Sequence, residues 1–265
     1  MGFTLTPPAT HPFGTGNSLA QMRSSFVELL SVVDPARIPS HDTRRFSFAA
    51  HNAEFLSRGE GMSMLVLSSE DARADEARWR EAGLTTFEPV YFERNARLPD
   101  GSEAKVAFTI AFVVNERMPN TVFFCCQQHA PEAFWQPEYQ RHANGAENFS
   151  SITLTAGDPR GHAAFFQALF GESGVEVVGE TLRIQTMMGE VEVIPPGAVS
   201  RRFAGVPGLT RGPQARFAAA GIQVSNLEAV EACLQQGGID CLRTHDRIMV
   251  PPAACFGLAL EFVEH

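Results

Sequence analysis

Three segments of the 265-residue chain repeat one order of elements, and that order constrains the fold more than any single motif. "MSMLVLSSEDARADEARWREAGLTTFEPVYF" is an apolar run, a helical stretch and a second apolar run. "FSSITLTAGDPRGHAAFFQALFGESGVEVVG" and "RFAAAGIQVSNLEAVEACLQQGGIDCLRTHD" follow the same order. Repeats of this length imply stacked copies of one supersecondary unit. In the second segment Asp158 is the expected N-cap and Pro159 the first helical residue. Phe166, Leu169 and Phe170 then form an apolar stripe, and Gly171 stops it. In the third, Asn226 is the cap, Leu227, Val230 and Leu234 the stripe, and Gly237-Gly238 the stop.

Each helix is followed by more extended chain. Asp100-Gly101 between two long apolar arms predicts a hairpin spanning roughly 87–114, longer than its later counterparts, and "TVFFCCQQ" supplies a further strand. The unit is therefore β-α-β-β-β. Before Gly61 only the closing strands of such a unit are expected, in "TLTPP", "NSLAQM" and "SFVELLSVV". On this reading the first copy lacks an opening strand and helix of about 25 residues, judged by the other copies. The expected fold is α+β, with paired βαβββ modules in two domains. Residues 1–146 form the first, with an incomplete first module, a second module at about 61–129 and a connecting segment at 130–146. Residues 147–265 form the second pair.

The stretch "RSSFVELLSVVD" (23–34) reads as a buried closing strand, yet Glu28 sits in its middle. A carboxylate in apolar surroundings is costly unless paired, hydrogen-bonded or metal-bound. Glu261 in "LALEFVE" and, more loosely, Glu192 in "EVEVIPP" occupy similar places.

Composition narrows the function. A net charge of −9, with no basic run, argues against a nucleic-acid surface. No apolar run approaches a membrane span, and the first residues lack the basic and apolar regions of a signal peptide. Five cysteines without C-x-x-C or zinc spacing read as reduced thiols of a cytoplasmic protein. Neither a phosphate loop nor a G-x-S-x-G elbow occurs.

Four β-α-β-β-β units with a Glu in the closing strand resemble the vicinal oxygen chelate superfamily, which includes glyoxalases, extradiol dioxygenases and bleomycin-resistance proteins. More narrowly, Gly2-Phe3, His11-Pro12, Gly14-Thr15, Asn17 and Glu28-Leu29 resemble the motif of glyoxalase-like domain proteins, as do "ARLPDGSEAKVAFTIAF" and "CQQHAPEAFWQPEYQRHANGA". The resemblance implies a curved sheet closing around a small-molecule ligand, with Glu28 as metal ligand or proton carrier. A divalent ion (Zn, Ni, Mn or Fe) would polarise a carbonyl or enediolate. His129 is the one further hard-metal donor near the closing strand, so Glu28 and His129 are the candidate ligands of a site expected to be incomplete. His11, Asn17, Gln127, His129, Trp135, Tyr139 and His142 are candidate ligand-binding residues. The segment 130–146, with its Trp, Tyr and His, suits either the mouth of the cleft or a hinge between halves. The extradiol reading needs two His and a Glu around iron, and the opening strands "SSITLTA" and "AAAGIQVS" contain no His.

The resemblance thus implies a metal-assisted lyase or isomerase acting on a small oxygen-rich molecule. The alternative is a non-catalytic binding protein on the same fold. An open sheet edge beside the first module would suit a homodimer contact.

Overall fold

The computed structural model describes residues 1–209 and 212–264. Along the chain, β1 (Ala9–Thr10), β2 (Thr15–Gln21) and β3 (Phe26–Val32) form a three-stranded antiparallel sheet. Helix α1 (Phe48–Arg58) follows. A second unit then comprises β4 (Met64–Ser69), α2 (Ala72–Glu81), β5 (Thr85–Thr86), β6 (Val90–Arg97), β7 (Glu103–Val114) and β8 (Val122–Gln128). The short α3 (Pro131–Phe134) opens the connecting segment. The third unit is β9 (Ala146–Thr155), α4 (Ala163–Phe170), β10 (Val175–Val178), β11 (Thr181–Gln185) and β12 (Glu190–Ile194). Helix α5 (Pro196–Arg202) leads to the fourth: β13 (Arg216–Val224), α6 (Leu227–Gln236), β14 (Leu242–Arg243), β15 (Arg247–Val250) and β16 (Ala259–Glu264).

In each complete unit the closing strand returns parallel to the opening one: β8 beside β4, β12 beside β9, and β16 beside β13. Strands β9 and β13 pair antiparallel, which fuses the last two units into one eight-stranded sheet. The Asp100-Gly101 turn joins β6 to β7 in a hairpin eight pairs long, with Gly101 at φ 85°. The equivalent β10–β11 hairpin has four pairs.

Helix ends follow local chemistry. Asn226 accepts from Glu228 N and Asp71 from Arg73 N and Ala74 N. Asp158 does cap, but the backbone it caps is a 3-10 turn at Arg160–His162, and α4 starts only at Ala163. The buried stripe of α4 is accordingly Phe165, Phe166 and Leu169, with Phe170 half-buried.

Two features depart from expectation. The strand containing Glu28 is half-buried along its length, with Leu29 36 % exposed, because β3 pairs only with β2 among the described residues. Helix α1 was not expected, and it follows the first three strands where the other units place a helix before theirs. Ser47 caps it by accepting from Ala50 N, and Gly59 ends it.

The five-stranded sheet is apolar on both faces. One face packs through α2 against the C-terminal half: Trp79, Phe123, Phe166 and Phe217 share a single core. Trp79 Nε1 donates to Leu169 O at 3.1 Å across that seam. The other face carries Phe108, Ile110, Phe112 and Phe124 and packs against β2, β3 and the residues opening α1. Fully burying each such side chain is worth about 1.5–3 kcal/mol. The candidate site lies on this second face.

Candidate functional site

Between the three-stranded sheet and the five-stranded sheet lies a cavity of about 60 Å³. Seven phenylalanines line it: Phe13, Phe26, Phe48, Phe92, Phe108, Phe124 and Phe134. The polar groups reaching it are His11, Asn17, Glu28, Arg94 and the Cys126 thiol.

Strand pleating sets Glu28. Phe26 and Glu28 share one face of β3, and Leu29 lies on the other. Glu28 stands opposite Leu19 of β2, and Asn17, two residues along β2, donates from Nδ2 to Glu28 Oε1 at 2.6 Å. Burial raises the Glu28 pKa above the usual carboxylate range, and the Asn17 bond and the charge of Arg94 oppose that shift only in part.

His11 is 5 % exposed, in the tight loop before β2. Its Nδ1 is 2.8 Å from Thr15 Oγ1, and its Nε2 is 3.4 Å from Asn17 Nδ2 and 3.9 Å from Glu28 Oε1. The ring stacks on Phe13 and meets Phe48 and Phe92 edge-on. Burial, reinforced by Arg94, lowers its pKa to about 4, so the imidazole is neutral at pH 7. With the proton on Nδ1, Nε2 accepts from the second N–H of Asn17. Gly14 makes the loop possible: at φ 88° its carbonyl accepts from Val33 N and Asp34 N, and a Cβ there would meet Asp34 O at 2.4 Å.

Arg94 was missed in the sequence. Strand β6 alternates strictly, with Val90, Phe92, Arg94 and Ala96 inward. Finding a cation at an inward position of an alternating strand was the available signal. Its guanidinium lies 5.8 Å from the Phe108 ring centroid and donates from Nη1 to Asn95 O at 3.2 Å. Its Nε is buried without a hydrogen-bond partner. Burial lowers its pKa, while the charge of Glu28 acts in the opposite sense.

The other expected site residues fall elsewhere. His129 is exposed beyond β8, with Nε2 2.8 Å from Thr109 Oγ1 and its ring beside Tyr91. Thr109 and Tyr91 occupy the opposite face of the sheet from Phe108 and Phe92, so the pleat separates His129 from Glu28. Gln127 shares that outer face; it accepts from Ala72 N and donates to Glu70 O at the start of α2. Of the same strand it is Phe124 and Cys126 that face the cavity. Cys126 is pushed up to about 12 by burial, with Glu28 adding to the shift, so it is a neutral thiol.

Trp135 packs on Phe26 and Phe134, immediately behind the lining, while Phe134 itself forms part of the wall. Tyr139 lines a small adjoining pocket, with its hydroxyl 3.4 Å from Arg97 O. His142 is a clamp: Nδ1 accepts from Thr4 N at 3.0 Å and Nε2 donates to Gln21 O at 2.7 Å. The connecting segment therefore braces β2 and supplies one wall residue.

Among the described residues no group of three or more His, Cys, Asp and Glu side chains could hold a metal ion. At Glu28 the donor chemistry also fits a metal poorly. The carboxylate is the one anionic donor, the nearest imidazole is bonded on both nitrogens, Asn17 turns its N–H groups inward, and a guanidinium acts on the cluster. The other closing-strand carboxylates are filled from within. Glu261, 2 % exposed, takes two bonds from Arg202 at 2.8 and 2.7 Å and one from Arg247 at 2.7 Å. Glu192 accepts from Thr153 and lies 3.4 Å from Arg202 Nε.

Paired βαβββ units with closing strands parallel to opening strands define the vicinal oxygen chelate fold. The profile of the glyoxalase-like domain matches residues 1–170, and the chain belongs to that family. No curated protein sequence matches it. Among solved structures, a hypothetical protein from Staphylococcus aureus is similar over 100 % of this chain and 89 % of its own, at TM-score 0.66 and 12 % identity. A mutant 4-hydroxymandelate synthase from Streptomyces coelicolor is similar over 99 % of this chain and 84 % of its own, at TM-score 0.53 and 11 % identity. Methylmalonyl-CoA epimerase from Mycobacterium tuberculosis covers 45 % of this chain and 89 % of its own, at TM-score 0.33 and 13 % identity. At these identities the first two likenesses concern the fold alone. No helix among the described residues is long and apolar enough to cross a membrane.

Proposed function

We propose that the cavity of the N-terminal half binds a small oxygen-bearing molecule and that Glu28 exchanges a proton with it, as in an isomerase or lyase of the glyoxalase type. Arg94, in place of a divalent metal, faces the negative charge that develops. The supporting observation is that a carboxylate raised by burial and a guanidinium whose Nε has no partner line the same phenylalanine-walled cavity. A carboxylate whose pKa is raised in this way is a stronger base than one in water. Removal of a proton next to a carbonyl moves the C–H electron pair into an enolate, with the proton on Glu28. Arg94 stabilises the enolate oxygen, and Glu28 returns the proton to the same carbon, on either face.

A second reading, a binding protein without catalysis, draws support from the apolar lining. One experiment separates them. Carbon-bound deuterium incorporation from D2O into a panel of 2-oxo and 2-hydroxy acids, followed by NMR, should occur with the wild type and fall about 10²–10⁴-fold with Glu28→Gln. Binding without exchange in either protein would favour the binding reading.

A further inference from the structure

Thr15, His11, Asn17 and Glu28 form one continuous chain of polar contacts ending at the cavity. His11 Nδ1 is 2.8 Å from Thr15 Oγ1, its Nε2 is 3.4 Å from Asn17 Nδ2, and Asn17 Nδ2 is 2.6 Å from Glu28 Oε1. Thr15 is fully buried, and Asn17 lies two residues along β2, so both side chains leave the same face of the strand. The backbone sets the first link: His11 N donates to Thr15 O at 2.8 Å, which brings the threonine hydroxyl against the ring. The ring is held in place, because Phe13 stacks on it at 5.1 Å and Phe48 and Phe92 meet it edge-on, each at 5.9 Å.

While Glu28 is ionised, donors and acceptors fit this chain in one way. A carboxylate accepts and never donates, so Asn17 must turn its NH2 group, not its carbonyl, towards Glu28. The second N–H of that group faces His11 Nε2, which must then be bare. The imidazole is neutral at pH 7 and carries its one proton on Nδ1, donated to Thr15 Oγ1. The opposite tautomer would set an N–H of His11 against an N–H of Asn17. Rotating the amide to relieve that would press Asn17 Oδ1 on the Glu28 carboxylate, with two acceptors in contact. The other ionisable groups facing Glu28 are Arg94 of β6 and Cys126 of β8, while α1 and α3 bring Phe48 and Phe134.

We propose that Thr15 and His11 are positioning residues for the proton carrier. Thr15 holds the His11 proton on Nδ1, the bare Nε2 holds the Asn17 amide with its N–H groups inward, and that orientation keeps Glu28 a base. The catalytic sense of this rests on the reading of Glu28 as proton carrier; the order of the hydrogen bonds does not. Asn17 and Arg94 then present only N–H groups to Glu28. Neither accepts a proton from the Glu28 carboxyl, which stays available for return to the substrate.

Two measurements on the ligand-free protein test this. Long-range proton–nitrogen correlation spectra at pH 7, with the His11 signals assigned by their loss in His11→Gln, should show the proton on Nδ1. The carbon-NMR shift of the Glu28 carboxyl, followed against pH, should show its midpoint rise by about half to one pH unit in Thr15→Val and return towards wild type in Thr15→Ser. Val keeps the branched shape of Thr without the hydroxyl, and Ser keeps the hydroxyl, so recovery in Ser separates the hydrogen bond from packing. A His11 proton on Nε2, or a Glu28 midpoint that Thr15→Val leaves in place, would overturn the inference. The tautomer is read in the wild type and decides the matter whether or not the valine variant folds. Absence of deuterium exchange into any substrate, with the proton found on Nδ1 and the midpoint moved by Thr15→Val, would count against Glu28 as proton carrier and leave the positioning of its carboxylate supported.

Discussion

Asn17 Nδ2 lies 2.6 Å from Glu28 Oε1, joining neighbouring strands of the first sheet by one charge-assisted hydrogen bond. That bond lowers the pKa of a carboxylate whose burial raises it. Removing it by Asn17→Ala should leave Glu28 less well satisfied and cost about 1–3 kcal/mol of stability at pH 8. The pH profile of proton exchange should move upwards in the same variant. A profile that stays in place or moves down would show that the bond does not set the Glu28 acidity.

Glu28 itself has a defined stability signature. Its folded pKa lies above the unfolded value of 4.5, so the folded state binds more protons between the two. The wild type should therefore lose stability relative to Glu28→Gln as pH rises from 4.5 through the folded pKa. Gln keeps an oxygen that accepts from Asn17, so the melting temperature of Glu28→Gln should equal or exceed that of the wild type at pH 8. Melting curves of both at pH 4 and pH 8 test this.

Histidines act in the opposite direction. His11 and His51 are both held near pKa 4, chiefly by burial, and His51 Nε2 is buried without a partner. Their folded values lie below the unfolded value of 6.5, so the stability they allow is complete above pH 6.5 and is lost as pH falls towards 4. Each contributes on the order of 3 kcal/mol over that window. His51→Phe should flatten the fall between pH 6.5 and 4.5. An unchanged slope would place the titration elsewhere.

Glu261 should behave as structure. Burial alone would raise its pKa, but Arg202 and Arg247 outweigh that and hold it below the usual range. Arg202→Met should leave a buried carboxylate with one partner and cost about 3–5 kcal/mol. Denaturant unfolding reads that loss. Ligand binding in the N-terminal cavity should survive whatever fraction remains folded.

The repeated unit was legible because it rests on local signals. Asn226 as a cap, Gly101 as a turn and the apolar alternation of β6 each declare an element within a few residues. Glu28 stood out because a carboxylate among apolar neighbours is costly wherever the strand lies. Helix α1 carried the same kind of signal in Ser47 and Gly59, but the expectation of three closing strands and nothing more in the first unit obscured it.

His129 and Arg94 mark the boundary. Both are plain in the sequence, but the face each occupies depends on the register of β8 and β6 within a twisted sheet, and one residue of offset reverses the face. The cysteine pair 125–126 shows the same ambiguity, with Cys125 in the core shared with the C-terminal half and Cys126 at the cavity.

By itself the sequence determined the order of elements in the three complete units, the recurrence of closing-strand carboxylates and the family. Caps, turns and alternation are short-range, and the chain states them locally. Which carboxylates are neutralised from within and which is left facing a cavity was decided only in the tertiary structure. Arg202 lies 59 positions before Glu261, and Arg94 lies 66 after Glu28. Whether a guanidinium closes on a carboxylate or stops short of it depends on sheet packing, because the Coulomb energy of such a pair is fixed by a few ångströms and by the water excluded around it.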